Sequence, residues 1–161
     1  MHDMLVRLYA LPSPDAAARE LKERGIRIRR CMPYELLTLQ SWVAANFSPK
    51  WVSEVTVAMS HQPPGCFIAT RDAAILGFVC VDATMRGFLG PMGLTEIARG
   101  QGIGRVLLLT ALQEMRHMGY AYAILGGVGP VDFYRKVAGA VDIPESSPGI
   151  YEDLLPDPPH C

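Results

Sequence analysis

A turn with three alternating glycines is the segment whose residue types and spacing best suit chemistry. It reads Arg99-Gly100-Gln101-Gly102-Ile103-Gly104, and Arg105 follows directly. The most regular amphipathic helix pattern of the chain begins here, and a helix N-terminus carries unpaired N–H groups and partial positive charge. Glycines let an anion approach the backbone without obstruction by Cβ, and arginines add charge-assisted donors. The segment therefore predicts a cradle for a phosphate or pyrophosphate group.

Two common phosphate-binding motifs do not fit this turn. A P-loop ends in Gly-Lys-Ser/Thr, whereas Gly104 is followed by Arg105 and Val106. A dinucleotide-binding fingerprint needs the spacing GxGxxG and an acidic residue about 20 residues further on. Here the glycines alternate throughout, and Tyr122-Ala123-Ile124 stands where the acidic residue would be. Both motifs are excluded.

Hydrophobic periodicity predicts the elements that position the turn. In the first half it predicts a strand over 4–11, a helix after Ser13, a strand over 26–28 and two helices up to Met59. The second half is predicted to contain strands at 66–70, 73–81 and 87–94, a helix at 102–118, a strand at 122–125, a helix at 130–137, and candidate strands at 140–143 and 150–154. A tight hairpin at Arg71-Asp72 joins the first two of these strands. This order predicts an α/β fold, a mixed sheet with helices on its faces.

Composition narrows the class of protein. The chain has 161 residues, a net charge of -1 and 19% charged residues, which predicts one domain without an electrostatic surface for nucleic acid or an anionic membrane. No apolar run approaches the about 20 residues of a membrane span. Asp3 and Arg7 interrupt the first apolar residues, which argues against a secretory signal. The expected location is the cytoplasm.

The four cysteines predict no metal site. Cys31, Cys66, Cys80 and Cys161 lack CxxC spacing, and two of them lie inside apolar strand-like runs. Buried free thiols are therefore expected rather than zinc ligands or a disulfide framework.

The turn and its surroundings resemble the GNAT superfamily of N-acetyltransferases. The spacing Arg-x-x-Gly-x-Gly follows an apolar strand that ends at Leu94 and precedes a leucine-rich helix and a buried strand. Asp132-Phe133-Tyr134-Arg135-Lys136 is similar to the family's Phe-Tyr-Glu/Arg-Lys helix, and Gly139-Ala140 stands where members usually have Gly-Phe. The resemblance covers 66–143.

This resemblance implies a mostly antiparallel central sheet with helices on both faces and two splayed parallel strands that hold acetyl-CoA. The chain would add an N-terminal strand and helix at 1–25 to that fold. An acceptor-side helical half at 26–65, a CoA-binding core at 66–155 and a tail at 156–161 would follow. The extension would cover a sheet edge or build a homodimer contact.

The resemblance also implies roles for individual residues. Tyr134 matches the tyrosine that commonly acts as general acid toward the CoA thiolate. The proposed contacts of pantetheine are Met92, Gly93 and Leu94. The proposed contacts of the pyrophosphate are Arg99, Gly100, Gln101, Gly102, Ile103, Gly104 and Arg105. Gly90-Pro91 suits a strand that diverges around a ligand, since proline is excluded from interior strands; a plain bulge or an edge strand is the alternative.

The sequence indicates less about the acceptor of the acetyl group than about the cofactor. The implied reaction is direct attack by a primary amine of a small molecule or peptide on the thioester, and the alternative is a non-catalytic acyl-CoA sensor. Gly127 replaces the family's frequent asparagine. No residue pattern identifies the general base, for which the candidates by residue type are Asp82, Glu54, Glu96, His61 and Asp132. Four aromatic residues either belong to the core or line an acceptor pocket: Tyr34, Trp42, Phe47 and Trp51.

Overall fold

The computed structural model describes residues 1–157, which form an α/β fold around one twisted sheet. Within these residues the seven strands are β1 (Met4–Arg7), β2 (Arg27–Arg30), β3 (Cys66–Arg71), β4 (Ala74–Val81), β5 (Phe88–Leu94), β6 (Tyr122–Leu125) and β7 (Val141–Asp142). The five α-helices are α1 (Asp15–Glu23), α2 (Leu36–Asn46), α3 (Pro49–Met59), α4 (Ile103–His117) and α5 (Val131–Ala138). The free thiol expected for Cys161 lies outside the described residues, as does most of the tail.

The sheet has the order β2-β3-β4-β5-β6-β1-β7. Every neighbouring pair is antiparallel except β5 and β6, which run parallel. The predicted fold class, a mostly antiparallel mixed sheet with one parallel pair, is confirmed.

Alternating side chains of the strands fill two separate cores. On β3 and β4, Phe67 and Val79 belong to a core with α4, whereas Ile68 and Phe78 belong to a core with α2 and α3. Because successive strand residues point to opposite faces, these cores lie on the two sides of the sheet.

Helix α4 provides the largest apolar face. The helical spacing predicted for 102–118 is confirmed, and eight of its side chains are buried: Ile103, Val106, Leu107, Leu108, Leu109, Ala111, Leu112 and Met115. Burial of each large aliphatic side chain contributes about 1.5–3 kcal/mol before the entropy cost of ordering it. This helix therefore anchors the glycine turn at its N-terminus to the centre of the sheet.

The N-terminal extension completes the sheet. Strand β1 lies between β6 and β7, where Met4 pairs with Leu125 on one side and with Asp142 on the other. Of the two roles expected for the extension, the structure shows the covering of a sheet edge.

Three expectations require correction. The strand predicted at 150–154 is wrong: Gly149–Tyr151 is a 3-10 helix, because Pro148 and the left-handed backbone at Gly149 and Asp153 turn the chain away from extended structure. The strand predicted at 4–11 ends at Arg7 and continues as a 3-10 helix. The hairpin turn between β3 and β4 lies one residue later, at Asp72-Ala73, both with positive φ.

The apolar segments are all short. Among residues 1–157, no helix combines the length and the hydropathy needed to cross a membrane.

Candidate functional site

Strands β5 and β6 pair over only two residues, and the space beside β5 beyond that point is the candidate cleft. Phe88 pairs with Ile124 and Leu89 with Leu125, and Gly90 follows with φ +135°, a conformation that favours glycine. Beyond that point β5 stays paired with β4 through the residues predicted to contact pantetheine, which are Met92, Gly93 and Leu94. Their edge toward β6 carries no strand partner within the described residues. An extended ligand arm can therefore add to this edge as a strand does.

Glycine is required at the three positions of the turn for different structural reasons. Gly100 has φ +72° and Gly102 has φ +83°, and a Cβ at either position would meet no atom within 4 Å. Glycine is needed there for the backbone conformation, and the space around it stays open. A Cβ at Gly104 would instead lie 3.3 Å from Leu94 Cδ1 and 3.7 Å from Met92 Cε. The third glycine therefore lets α4 pack closely against β5.

The turn offers unpaired donors and positive charge. Within residues 1–157, the backbone N–H groups of Gly100, Gln101 and Gly102 donate no hydrogen bond to the protein. Arg99 and Arg105 are exposed, and neither forms an ion pair with a described residue. Together with the N-terminus of α4, these groups form a surface that favours a phosphate group.

Two aromatic side chains of α5 stand beside the cleft. A Cβ at Gly104 would lie 3.5 Å from Phe133 Cζ, and the ring of Tyr134 meets the Phe133 ring edge-on with centroids 5.1 Å apart. Burial raises the pKa of Tyr134 above its usual value of 10.0. The hydroxyl therefore stays protonated at neutral pH, and it forms no hydrogen bond with any described residue. Such a group can donate a proton to a ligand.

The glycine loop after β6 is held by residues that sequence reasoning did not single out. Asp3 is 7% exposed, and its Oδ1 accepts a hydrogen bond of 2.8 Å from the N–H of Gly127. A Cβ at Gly126 would overlap Tyr151 Oη, so Gly126 makes room for this ring. Burial, followed by the negative charges of Asp3 and Glu54, raises the pKa of Tyr151 to about 12. The space beside Gly127, where the family frequently has asparagine, is therefore occupied by the protonated side chain of Tyr151.

The aromatic residues of the α2–α3 face divide between core and surface. The ring of Phe47 covers Gly93 and stacks on Trp51 with centroids 4.9 Å apart, and Trp42 packs edge-on against Phe78. Trp42, Phe47 and Trp51 therefore belong to the core with α2 and α3, which is one of the two expected roles. Phe47 lies between this core and β5. Tyr34 is 89% exposed and joins neither the core nor the cleft.

Three of the candidate general bases have a hydrogen-bond or ion-pair partner within the described residues: Asp82, Asp132 and Glu54. Asp82 accepts hydrogen bonds from the N–H of Gly87 at 2.7 Å and from the hydroxyl of Tyr120 at 2.8 Å, which fixes the turn before β5. Asp132 is fully exposed and lies 3.6 Å from Arg135.

Glu54 and the two remaining candidates differ in position. Glu96 is exposed on a short helix that precedes the turn, and His61 Nδ1 would lie 2.9 Å from a Cβ at Gly65. Glu54 on α3 accepts a hydrogen bond from Thr84, and its charge acts on Tyr151. Of the five candidates, Glu54 is therefore the one with an electrostatic link to the loop after β6.

The environment of the buried thiols does not favour the thiolate form at Cys31 and Cys66. Cys31, Cys66 and Cys80 are free and buried, as the sequence predicts. Burial raises the pKa of Cys31 to about 12, and a thiol hydrogen bond with Cys80, followed by burial, raises the pKa of Cys66 well above its usual value. A nucleophilic role for these thiols has no support.

Several solved structures share this fold. A glucosamine N-acetyltransferase region of a fungal multi-domain β-N-acetylglucosaminidase superposes with a TM-score of 0.72 at 19% identity, over 88% of this chain and 19% of that chain. A GCN5-related N-acetyltransferase from Sphaerobacter thermophilus gives a TM-score of 0.66 at 20% identity, over 88% of this chain and 48% of that one. The chain thus spans less than half the length of either relative.

A third solved structure is a complex with acetyl-CoA. It is a GNAT family acetyltransferase from Brucella melitensis in complex with acetyl-CoA, with a TM-score of 0.53 at 20% identity, covering 83% of this chain and 91% of that one. No curated protein sequence matches the chain. The model of the acetyltransferase (GNAT) family matches residues 17–140, more than half of the sequence. The chain therefore belongs to the GNAT acetyltransferase family.

Proposed function

We propose that this protein transfers an acetyl group from acetyl-CoA to a primary amine of a small molecule or peptide. The observation that carries the proposal is the turn with unpaired N–H groups at the start of α4, next to the point where β5 and β6 diverge. A diphosphate fits the turn and an extended pantetheine arm fits the free edge of β5, which are the two parts of CoA that such a cleft would bind.

Each part of the site would have a separate task. Residues 100–105 would hold the diphosphate, with Arg99 beside them as a further cation, and the backbone of Met92, Gly93 and Leu94 would align the pantetheine arm. This alignment brings the thioester to the divergence of the strands, where an amine can approach from the α2–α3 face. Binding both substrates in one cleft removes much of the entropy cost of their encounter.

The proposed chemistry is direct transfer in a ternary complex. The unprotonated amine attacks the thioester carbonyl, and its electron pair forms the new C–N bond while the carbonyl oxygen takes the negative charge. When this intermediate collapses, the C–S bond breaks and the sulfur leaves with the bonding pair. Tyr134 donates its hydroxyl proton to that sulfur, and the amine nitrogen loses its extra proton to solvent or a neighbouring base.

Binding is the first test. Acetyl-CoA at a hundredfold excess over its Kd should stabilise the protein by about 2.7 kcal/mol in thermal unfolding. No shift at millimolar acetyl-CoA, together with a shift on ATP or NAD, would favour a different phosphate-ligand protein.

Turnover is the second test. CoA thiol release should be measured across amines, aminoglycosides, polyamines, amino acids and peptide N-termini. Release with at least one class supports transferase activity and identifies the acceptor class. Binding of acetyl-CoA without release on any class would support the alternative, an acyl-CoA sensor on the same fold.

A further inference from the structure

The middle residue of the glycine turn is clamped by an arginine from the N-terminal extension. Arg24 follows α1 directly, and its Nη1 donates to the carbonyl oxygen of Gln101 at 3.1 Å while its Nη2 donates to Gln101 Oε1 at 2.9 Å. The Nε2 of Gln101 donates to the carbonyl oxygen of Ile97 at 2.7 Å. The backbone and the side chain of Gln101 are thus both held from outside the turn.

This clamp fixes the direction of a donor. The peptide group between Gln101 and Gly102 is planar and trans, so its C=O and its N–H point in opposite directions. Because Arg24 holds the carbonyl oxygen on the α1 side, the N–H of Gly102 is directed away from α1. A flexible glycine turn would otherwise sample other orientations of this peptide group, since both flanking glycines permit positive and negative φ.

The clamp also changes the strength of that donor. A guanidinium that donates to a peptide oxygen polarises the whole peptide group, so its N–H becomes a stronger hydrogen-bond donor. Arg24 is exposed, and its guanidinium forms no ion pair with a described carboxylate, so its charge adds to those of Arg99 and Arg105 around the turn. The three cations together make the electrostatic potential around the turn more positive, which favours binding of an anion.

We propose that Arg24 is a positioning residue for the diphosphate of acetyl-CoA, and that α1 is therefore a working part of the cofactor site. This inference rests on the proposed function. Arg24 acts through Gln101 and the turn, and it does not take part in the transfer of the acetyl group. Its loss should consequently weaken binding of the diphosphate and leave kcat at saturating acetyl-CoA unchanged.

The test compares two arginines of the extension. R24A removes the clamp, and R19A removes the same charge from an exposed position on α1 that makes no hydrogen bond with a described residue. Calorimetric titration with acetyl-CoA should give a Kd about tenfold higher for R24A, because the released turn would be in its binding orientation only about a tenth of the time, and an unchanged Kd for R19A. R24K, which keeps the charge but lacks the two-donor fork, should fall between R24A and the wild type.

A second ligand separates the diphosphate from the other phosphate of CoA. Acetyl-dephospho-CoA keeps the diphosphate and lacks the 3′-phosphate, so the tenfold effect of R24A should persist with it. An effect that disappears with this ligand would mean that Arg24 pairs with the 3′-phosphate, which would overturn the positioning role. R24Q serves as a second variant of similar shape, and all variants should remain folded because Arg24 is exposed.

The outcomes distinguish this inference from the proposed function. If the wild type binds acetyl-CoA and R24A binds it equally well, or if R19A weakens binding as much as R24A, the inference is overturned and the proposed function stands. A fall in kcat equal to the rise in Kd would also overturn it, because a positioning residue for the diphosphate acts on binding. If the wild type binds no acetyl-CoA, the proposed function fails and the inference fails with it.

Discussion

The candidate phosphate turn on the α4 side is built mainly from backbone N–H groups, with arginine side chains around it, whereas the α2–α3 side presents side chains alone. The N–H groups of the turn are made accessible by Gly100 and Gly102, and the turn lies between a strand and a helix that are neighbours in sequence. The opposite side presents Phe47, Glu54 and Tyr151, which come from distant parts of the chain. Backbone recognition leaves a glycine pattern in the sequence, and side-chain recognition leaves none.

This contrast is consistent with a different ligand on each side of the cleft. A cofactor that is the same for every member of a family can be held by a fixed backbone turn. An acceptor that differs between members calls for side chains, which can change without disturbing the sheet. The two sides therefore predict different consequences of mutation.

The largest expected effect is on the chemical step. Tyr134→Phe should lower kcat by about 10²- to 10⁴-fold, the range for loss of a general acid, while the Kd for acetyl-CoA stays the same. Burial raises the pKa of Tyr134, so in the wild type any loss of activity through its deprotonation should occur above pH 10.0. Both quantities come from thiol-release kinetics over a pH series and from titration.

Tyr120→Phe is the matched control. The hydroxyl of Tyr120 bonds to Asp82 at 2.8 Å, away from the turn, so its loss should reduce stability and spare kcat. If Tyr134→Phe keeps full kcat, Tyr134 has no role as the acid and the protonated hydroxyl of Tyr151 becomes the next candidate to test.

The second effect is on cofactor binding. Gly102→Ala places a side chain at φ +83°, where it costs about 1–3 kcal/mol and shifts the turn away from its anion-binding conformation. Titration should show at least about tenfold weaker binding of acetyl-CoA, since a shift of 1.4 kcal/mol is tenfold.

Gly119→Ala provides the control at the opposite end of α4. Gly119 has φ +99° and open space around it, so the substitution carries similar backbone strain without touching the turn. Equal losses of affinity in both variants would show that helix strain, and not the turn, governs binding.

The third effect is on the boundary between the two sides. A Cβ at Gly93 would lie 2.7 Å from Phe47 Cε1, so Gly93→Ala should displace the ring and destabilise the protein by about 1–3 kcal/mol. Chemical denaturation measures this loss. Gly93→Ala combined with Phe47→Leu should be less destabilised than the sum of the two single variants. Strict additivity would contradict close packing of the ring on β5.

The smallest effect belongs to an ion pair on the α2–α3 side. Hydrogen bonds from Arg29 lower the pKa of Glu35 to about 2, from its usual 4.5. A lowered pKa in the folded state adds stability above pH 4.5, and this stability is lost as the pH falls from 4.5 toward 2. Since the side chains of Arg29 and Glu35 are 37% and 32% exposed, solvent screening limits the gain to about 1 kcal/mol.

Glu35→Gln measures that contribution. The difference in unfolding free energy between this variant and the wild type should be largest at neutral pH and vanish near pH 2. A difference that stays constant over this pH range would mean that packing, and not charge, sets the role of Glu35.

The same contrast explains what the sequence could predict. The bounds of α4, the strands that flank it and the turn were predictable, because hydrophobic periodicity and glycine spacing are local signals. Gly90-Pro91 was a local signal for the point where β5 loses its pairing with β6 and shifts register against β4, which fits either a strand that diverges around a ligand or a bulge. The phosphate-binding role of the turn followed from its glycines and arginines, the role of Tyr134 came from the resemblance to a family, and both stay predictions.

The contacts between distant residues were not predictable. Asp3 with Gly127, Tyr151 with Gly126 and Arg24 with Gln101 each join segments from different parts of the chain, and periodicity reports which face of an element is buried but not its partner. The apolar run at 150–154 indicated a strand that the structure lacks, because an apolar pattern does not report the change of chain direction at Pro148, Gly149 and Asp153.

The position of β1 has a consequence for how the chain reaches this structure. Strand β1 is made early in synthesis, yet it pairs with β6 and β7, which follow more than a hundred residues later: Met4 pairs with Leu125 and Asp142. Closing such a long loop is entropically costly, and contacts of this separation slow folding. The side chains of Met4 and Val6 are fully buried in the folded protein. During synthesis they have no strand partner until β6 has been translated. The order of synthesis thus leaves β1 without its partners until β6 has been made, and β7, which pairs with β1, can join the sheet only after that.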